Sequence, residues 1–488
     1  MKSGQGNLLE WNEWSWVTLN KGAACGILRK RITGWCSLTT NESEQMATLQ
    51  ACLSRYRRAS VARLPEPVAD AARRALVDWF AVGIAGSREA EARALAAMVR
   101  LWQTQGQSPA FDGQQLAPVA AALINGAAAH TLDFDDFHIA SLLHPGAPTF
   151  AAVLALGYAH RLSGARMLAS FAAGFEVGAS LGLDGVGESL AQQGWHPSSI
   201  LGHLSAAAGA ASVLQLDDAQ FTVAMGLAGV QAGGLMAAAG SFAKPFAVGK
   251  AAMNGVIAAQ LAASGSSAPP GLLDDPSRGL FGTLFQRPCH PDPTNESSWL
   301  TAENTFKPYP SCQLTHAAYE AGLQARRVLS GREPQRITLT VHPLAPVIAC
   351  HTSPRTVLEA RFSLPYCVAL GLQGRRAVLT EFSQHGLDDR HRRELAARVA
   401  VRTDPGVARW SAKIQVEDSS GKAWLAEVPA ALGSLDRPMQ WDDLEAKFSD
   451  AVEPILGSDS RILLDSLKRF DSPGAPEEVA GVLRGMKR

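Results

Sequence analysis

Residues 118–160 read PVAAALINGAAAHTLDFDDFHIASLLHPGAPTFAAVLALGYAH. Two runs in this stretch, Pro118–Ala129 and Ala147–His160, contain no Asp, Glu, Lys or Arg and are rich in alanine. Runs of that length without a polar face predict helices buried on all sides. Between them, His130 to Gly146 holds three carboxylates (Asp133, Asp135, Asp136) and three imidazoles (His130, His138, His144). These are the groups that move protons or hold metals near neutral pH. A turn pinned between two buried helices is a rigid mount for such chemistry.

The same pattern extends outward. Leu64-Pro65-Glu66-Pro67 opens a helix with proline near its first turn, followed by an apolar stripe through Ala71, Ala75, Leu76, Trp79 and Phe80. Further helices are predicted over 89–105, 116–129, 147–161, 164–181, 199–215, 217–240 and 246–264. Small residues dominate them, which permits close helix packing. Near Lys307 the pattern changes. Arg336–His342 (RITLTVH) alternates like a strand, Val399–Thr403 reads as another, and Ala412–Glu417 with Trp424–Val428 reads as a hairpin through Ser419-Ser420-Gly421. Helices over 313–330, 362–373 and 387–398 accompany them, which makes an α+β region. After Trp441 helices return, over Asp442–Phe448 and Ser460–Phe470. The predicted organisation is an extension over 1–45, a helical part over 46–303, an α+β domain over 304–441 and a helical return over 442–488. The extension carries four of the eleven tryptophans and no sustained period. It is expected to be disordered or to precede a true start at Met46.

Composition narrows the function classes. Lys plus Arg equals Asp plus Glu at 45 each, so no basic excess points to nucleic acid or a membrane surface. An anionic ligand would have to be met by individually placed cations. Seven scattered cysteines with no CxxC pair predict reduced thiols and a cytoplasmic protein. Ala219–Ala243 is uncharged over 25 residues, but glutamines and glycines interrupt it, so a buried helix is expected and no membrane span.

Four further segments present ionisable groups at Pro- or Gly-bounded turns: Gly194–Ser199 (GWHPSS), Gly240–Pro245 (GSFAKP), Phe306–Cys312 (FKPYPSC) and Ala360–Tyr366 (ARFSLPY). Each has a structural reading as well. Asp133, Asp135 and Asp136 would serve as caps in a solvated loop. His203 reads as a hydrogen-bonded core histidine. Lys244 and Lys250 read as helix-end cations, and Tyr366 as a core tyrosine with a bonded hydroxyl. A zinc-type hydrolase site from His130, Asp133 and His138 is a distant alternative, because it still needs another ligand and a supporting shell.

Taken together, these segments resemble the MmgE/PrpD family, which includes 2-methylcitrate dehydratase, cis-aconitate decarboxylase and iminodisuccinate epimerase. The resemblance spans about Leu64 to Phe470 and rests on six motifs in order: LVDWFAVGIAGS (76–87), DFDD with HPG, GWHPSS with GHLSAAAGAA, SFAKPFAVGKAA, FKPYPSCQLTH and ARFSLPYCVAL. It implies a mainly α fold, in which a large all-helical domain carries an inserted smaller α+β lid domain. It also implies a homodimer that needs no metal or organic cofactor. By motif position it implies Asp133, His144, His196 and Tyr366 as catalytic residues, and Lys244 and Lys307 as substrate-binding residues. Phe137 departs from members with threonine there. The Asp133–His144 gap is about a residue longer than in the decarboxylase branch, and HPGAP replaces the dehydratase-type HPSDN.

The chemistry that the resemblance implies is proton transfer, or loss of carbon dioxide, at a carbon α to a carboxylate in a small di- or tricarboxylate. Fixed lysines would stabilise the developing negative charge and histidines would move the proton. The leading expectation is a 2-methylcitrate dehydratase-like hydro-lyase, with cis-aconitate-type decarboxylation or iminodisuccinate-type epimerisation as alternatives.

Overall fold

Residues such as those of 118–131 form helices because alanine costs no side-chain entropy, and a proline at the first position supplies a preset φ. A computed structural model describes residues 47–60, 63–269, 271–285 and 298–486. The expected extension over 1–45 and the start at Met46 lie outside the described residues. Four helices build the centre of the helical part: α1 (Pro118–Thr131), α2 (Gly146–Ala159), α3 (Pro197–Val213) and α4 (Ala243–Ala263). Helix α4 packs most extensively on α1 and α3. Small side chains make that approach possible: a Cβ on Gly249 of α4 would stand 2.5 Å from the Leu123 carbonyl of α1. A larger residue there would force the helices apart and leave cavities along the seam. Every residue of α3 is buried.

One expected helix is shorter than its uncharged run. In place of 217–240, the helix covers Asp218–Gly229, and a short 3-10 turn follows at Met236–Ala238. Gly234 has φ +144, and a Cβ on it would meet Ser199 at 2.4 Å, so the chain turns at a point only glycine satisfies. Lys244 therefore sits at the N-terminal end of α4 and does not end the preceding helix. The helix dipole disfavours a cation at that end, so Lys244 needs an anionic partner. Among the described residues, α4 is the helix long and apolar enough to cross a membrane by composition. Its burial among α1, α2 and α3 accounts for that apolarity.

The α+β region follows. Helices α5 (His316–Leu329) and α6 (Leu364–Gln373) accompany strands β1 (Pro334–Val341), β2 (Val399–Thr403), β3 (Ala412–Asp418) and β4 (Ala423–Val428). The sheet order is β2-β1-β3-β4; β1 pairs parallel with β2 (Ile337 opposite Val399) and antiparallel with β3 (Ile337 opposite Val416). Ile337, Leu339 and Val341 alternate inward and join Ile414 and Val416 in a hydrophobic cluster distinct from that of the helical part. Each such side chain contributes about 1.5–3 kcal/mol on full burial. From Ala47 onward the chain nonetheless forms one unit. Helix α7 (Trp441–Leu456) then returns to pack on the helix Glu66–Gly86. Its Lys447 is buried, paired with Asp78, and donates to the Phe134 carbonyl at 2.6 Å. The return also contains Ala475–Gly485, a helix not predicted from the sequence.

Candidate active site

Helix α1 ends at Thr131, and two residues later Asp133 adopts φ +50. Aspartate is one of the few residues other than glycine that tolerates this left-handed region. The Asp133 carboxylate contacts the Lys244 ammonium through Oδ1. It accepts from Lys307 Nζ at 3.1 Å through Oδ2, and its backbone carbonyl accepts from the same ammonium at 2.9 Å. Burial pushes the Asp133 carboxyl upward, but the two lysines outweigh it and hold the group well below the usual carboxylate range.

Two residues on, Asp135 serves the histidines. Its Oδ2 lies 2.7 Å from His130 Nδ1 and 3.4 Å from His144 Nδ1. The first is a hydrogen bond; the second is an ion-pair distance. Burial raises the Asp135 carboxyl and the two imidazoles pull it well below its ordinary value. Asp136 points elsewhere: it accepts from Gly146 N at 3.0 Å and Asn304 Nδ2 at 2.8 Å, which ties the start of α2 to the turn. Burial, then neighbouring Asp78 and Asp135, hold its carboxyl well above the usual range.

His144 and His196 approach from two helix starts. The His144 amide donates to Ser198 Oγ at 2.9 Å. His196 precedes α3, its Nδ1 2.7 Å from Ser199 Oγ, and its amide donates to the Gly234 carbonyl at 3.0 Å. The His130 ring lies 4.8 Å from that of His144 and 5.6 Å from that of His196. Burial lowers His144 to about 4 despite Asp135, and burial followed by Lys244 holds His196 well below its ordinary value. Both rings are therefore neutral at pH 7 until a negative charge arrives. With Nδ1 directed at Asp135 or Ser199, Nε2 is the nitrogen available to a ligand.

Asp133, His144, His196, Lys244 and Lys307 all line one cavity of about 100 Å³. Tyr366 does not line it. Its hydroxyl donates to the Glu381 carbonyl at 2.5 Å and accepts from Arg392 at 2.7 Å, and burial pushes it up to about 12. Tyr366, expected as catalytic, thus lies off this cavity: Ser363 caps α6 and the tyrosine, on its first turn, bonds buried Arg392.

The distant alternative, a metal set of His130, Asp133 and His138, does not assemble. His138 Nδ1 bonds to Ser141 at 2.8 Å and its ring packs on Phe175, while Asp133 is taken by the lysines. His130, Asp135 and His144 do bring donor atoms within 4.8 Å of one another. A cation there would have to break the His130–Asp135 hydrogen bond beside two ammonium groups, so the donor set fits proton handling better. Sequence reasoning placed Asp135 among the supporting groups but missed Ser198, although it lies in a quoted motif, and it missed Trp410 in the cavity lining. Trp410 stands alone before β3 with no periodic signal around it.

Comparison with known proteins matches residues 55–290 to the MmgE/PrpD N-terminal domain and residues 309–468 to the MmgE/PrpD C-terminal domain. A cis-aconitate decarboxylase-like protein of Aspergillus oryzae is 26% identical over 430 residues, covering 81% of this chain and 88% of that protein. The cis-aconitate decarboxylase of Aspergillus terreus is 26% identical over 420 residues (79% and 85%). The human cis-aconitate decarboxylase is 26% identical over 422 residues (82% and 86%).

Proposed function

The chain belongs to the MmgE/PrpD family of lyases, and on that premise we propose that it removes carbon dioxide from a small unsaturated carboxylate, without a cofactor. The observation that carries this reading is the convergence of two lysines and two neutral histidines on one buried cavity. The names of its relatives favour decarboxylation over the 2-methylcitrate-type dehydration expected from sequence. So does HPGAP in place of the dehydratase-type HPSDN.

In this reading a substrate carboxylate takes over the two ammonium groups now shared by Asp133. As the bond to the departing carboxylate breaks, carbon dioxide leaves, and its electron pair delocalises toward the carboxylate held by Lys244 and Lys307. His144, protonated once the anion is bound and steadied by Asp135, delivers one proton to carbon. His196 returns a proton to the site. Fixed cations in a dry pocket stabilise developing charge without reorganising. Lys244 comes from the helical core, and Lys307 from the segment leading into the α+β region. A substrate bridging them supports a lid role for that region.

The test is to incubate purified protein with cis-aconitate, 2-methylcitrate and iminodisuccinate and follow products by NMR. Release of carbon dioxide is expected from cis-aconitate or from an unsaturated analogue with one or two carboxylates, which is included in the same panel. No turnover of any of these by folded protein would remove the reading.

A further inference from the structure

Among the described residues, the charged groups lining the cavity are Lys244, Lys307 and Asp133, a net of +1 with the histidines neutral, and no arginine joins them. That balance suits one carboxylate, or two once His144 is protonated, and leaves a third without a partner. Most of the remaining lining is hydrocarbon. The Phe137 ring lies 4.9 Å from His144 on one side and 6.0 Å from Trp410 on the other, so it leads from the proton-handling groups to an apolar wall. Its backbone is fixed by paired hydrogen bonds with Thr305, two residues before Lys307. Trp410, Leu344 and Ile348 continue the wall, each only partly buried against the α+β core. Opposite, Leu235 is 56% exposed although a β-bridge to Trp195 holds it at the cavity. Apolar side chains left partly wet around a cavity gain burial when an apolar group enters.

We propose that the substrate carries a hydrocarbon arm of several carbons on a skeleton with one or two carboxylates. The carboxylate meets Lys244 and Lys307, and the arm lies along Phe137, Trp410, Leu344 and Ile348. This rests on the reading of the cavity as the carboxylate site of a lyase.

The experiment is calorimetric titration of the full chain with succinate, 2-butylsuccinate and 2-hexylsuccinate, which needs no turnover. Affinity should rise about three- to fourfold per methylene until the arm fills the wall. Trp410→Ala, at the half-buried rim, should cut the hexylsuccinate-to-succinate affinity ratio five- to tenfold, and Phe137→Ala should do so more strongly. Lys307→Ala should weaken all three ligands alike. An affinity that is flat or falls with arm length, while the dependence on Lys307 persists, overturns the proposal and leaves the carboxylate site standing. Affinity that ignores Lys244→Ala and Lys307→Ala overturns both.

Discussion

Asp133 and Asp135 are two residues apart on one turn, equally buried, and do opposite work. Asp133 faces two lysines delivered by residues 111 and 174 positions away. Asp135 faces two histidines from within its own segment, five residues before it and nine after. The first arrangement stores positive charge that a substrate anion can claim. The second tunes a base. Asp133 holds a positive φ on this turn, and the two carboxylates reach different partners. In the proposed reading, one acidic turn serves an anion site on one side and a proton site on the other.

The sharpest way to break this division is at the proton side. His144→Ala should lower kcat by roughly 10²–10⁴-fold, whereas His203→Ala should change it little. His203 is bonded to the Ser199 carbonyl and Asn254 and lies off the cavity. Equal, small losses in steady-state rates would mean that the proton passes elsewhere. On the anion side, Lys307→Met should cost about 10²–10³ in kcat, by analogy with loss of one preorganised oxyanion donor. A change confined to KM would reduce Lys307 to ground-state binding.

Asp135→Asn probes the link between the sides. A loss of about 10–100-fold is expected. The Asp135 charge supports protonated His144, so its removal should also move the pH optimum for kcat downward. An unchanged profile would deny Asp135 any role beyond packing.

Acid stability reports on the same burial. His138, His144 and His203 are each lowered to about 4 by burial. A histidine with a depressed folded pKa stabilises the fold above its unfolded value of about 6.5, and that stability is lost as pH falls toward 4. Each contributes on the order of 3 kcal/mol at full effect. Asp78 and Asp274, each raised to about 6 by burial, and Asp136, held well above its usual range, act in the opposite direction over the same window. His130, His196 and His316 are lowered by burial as well, so the histidines outnumber the carboxyls and Tm should fall between pH 7 and pH 4.5; a flat Tm would contradict their burial as neutral rings. The smallest effect belongs to Tyr366→Phe. It should leave kcat within about twofold and cost on the order of 1–3 kcal/mol in denaturant unfolding, because the Arg392 donor loses a buried partner.

Much of this was legible without a structure. Uncharged Ala-rich runs read as buried helices, and period-two alternation from Arg336 as a half-buried strand, so most element types followed from burial physics. The motifs also identified five residues that share the cavity, because ionisable groups at rigid turns are costly to keep there without a partner. Tyr366 marks where this ends: its motif reads like the others, but its hydroxyl direction depends on Arg392, 26 residues on and invisible to local pattern. The uncharged run Ala219–Ala243 likewise hid a break, since only the packing of Gly234 against Ser199 reveals it.

The sequence alone determined which segments are helix or strand and which groups could carry proton chemistry, since periodicity, turn residues and side-chain chemistry are local properties. The tertiary structure alone decided that Asp133 pairs with lysines while Asp135 pairs with histidines, and that the cavity beside them is walled by hydrocarbon. Those outcomes depend on which distant side chains reach one low-dielectric space, where each charge must find a partner or shift its proton.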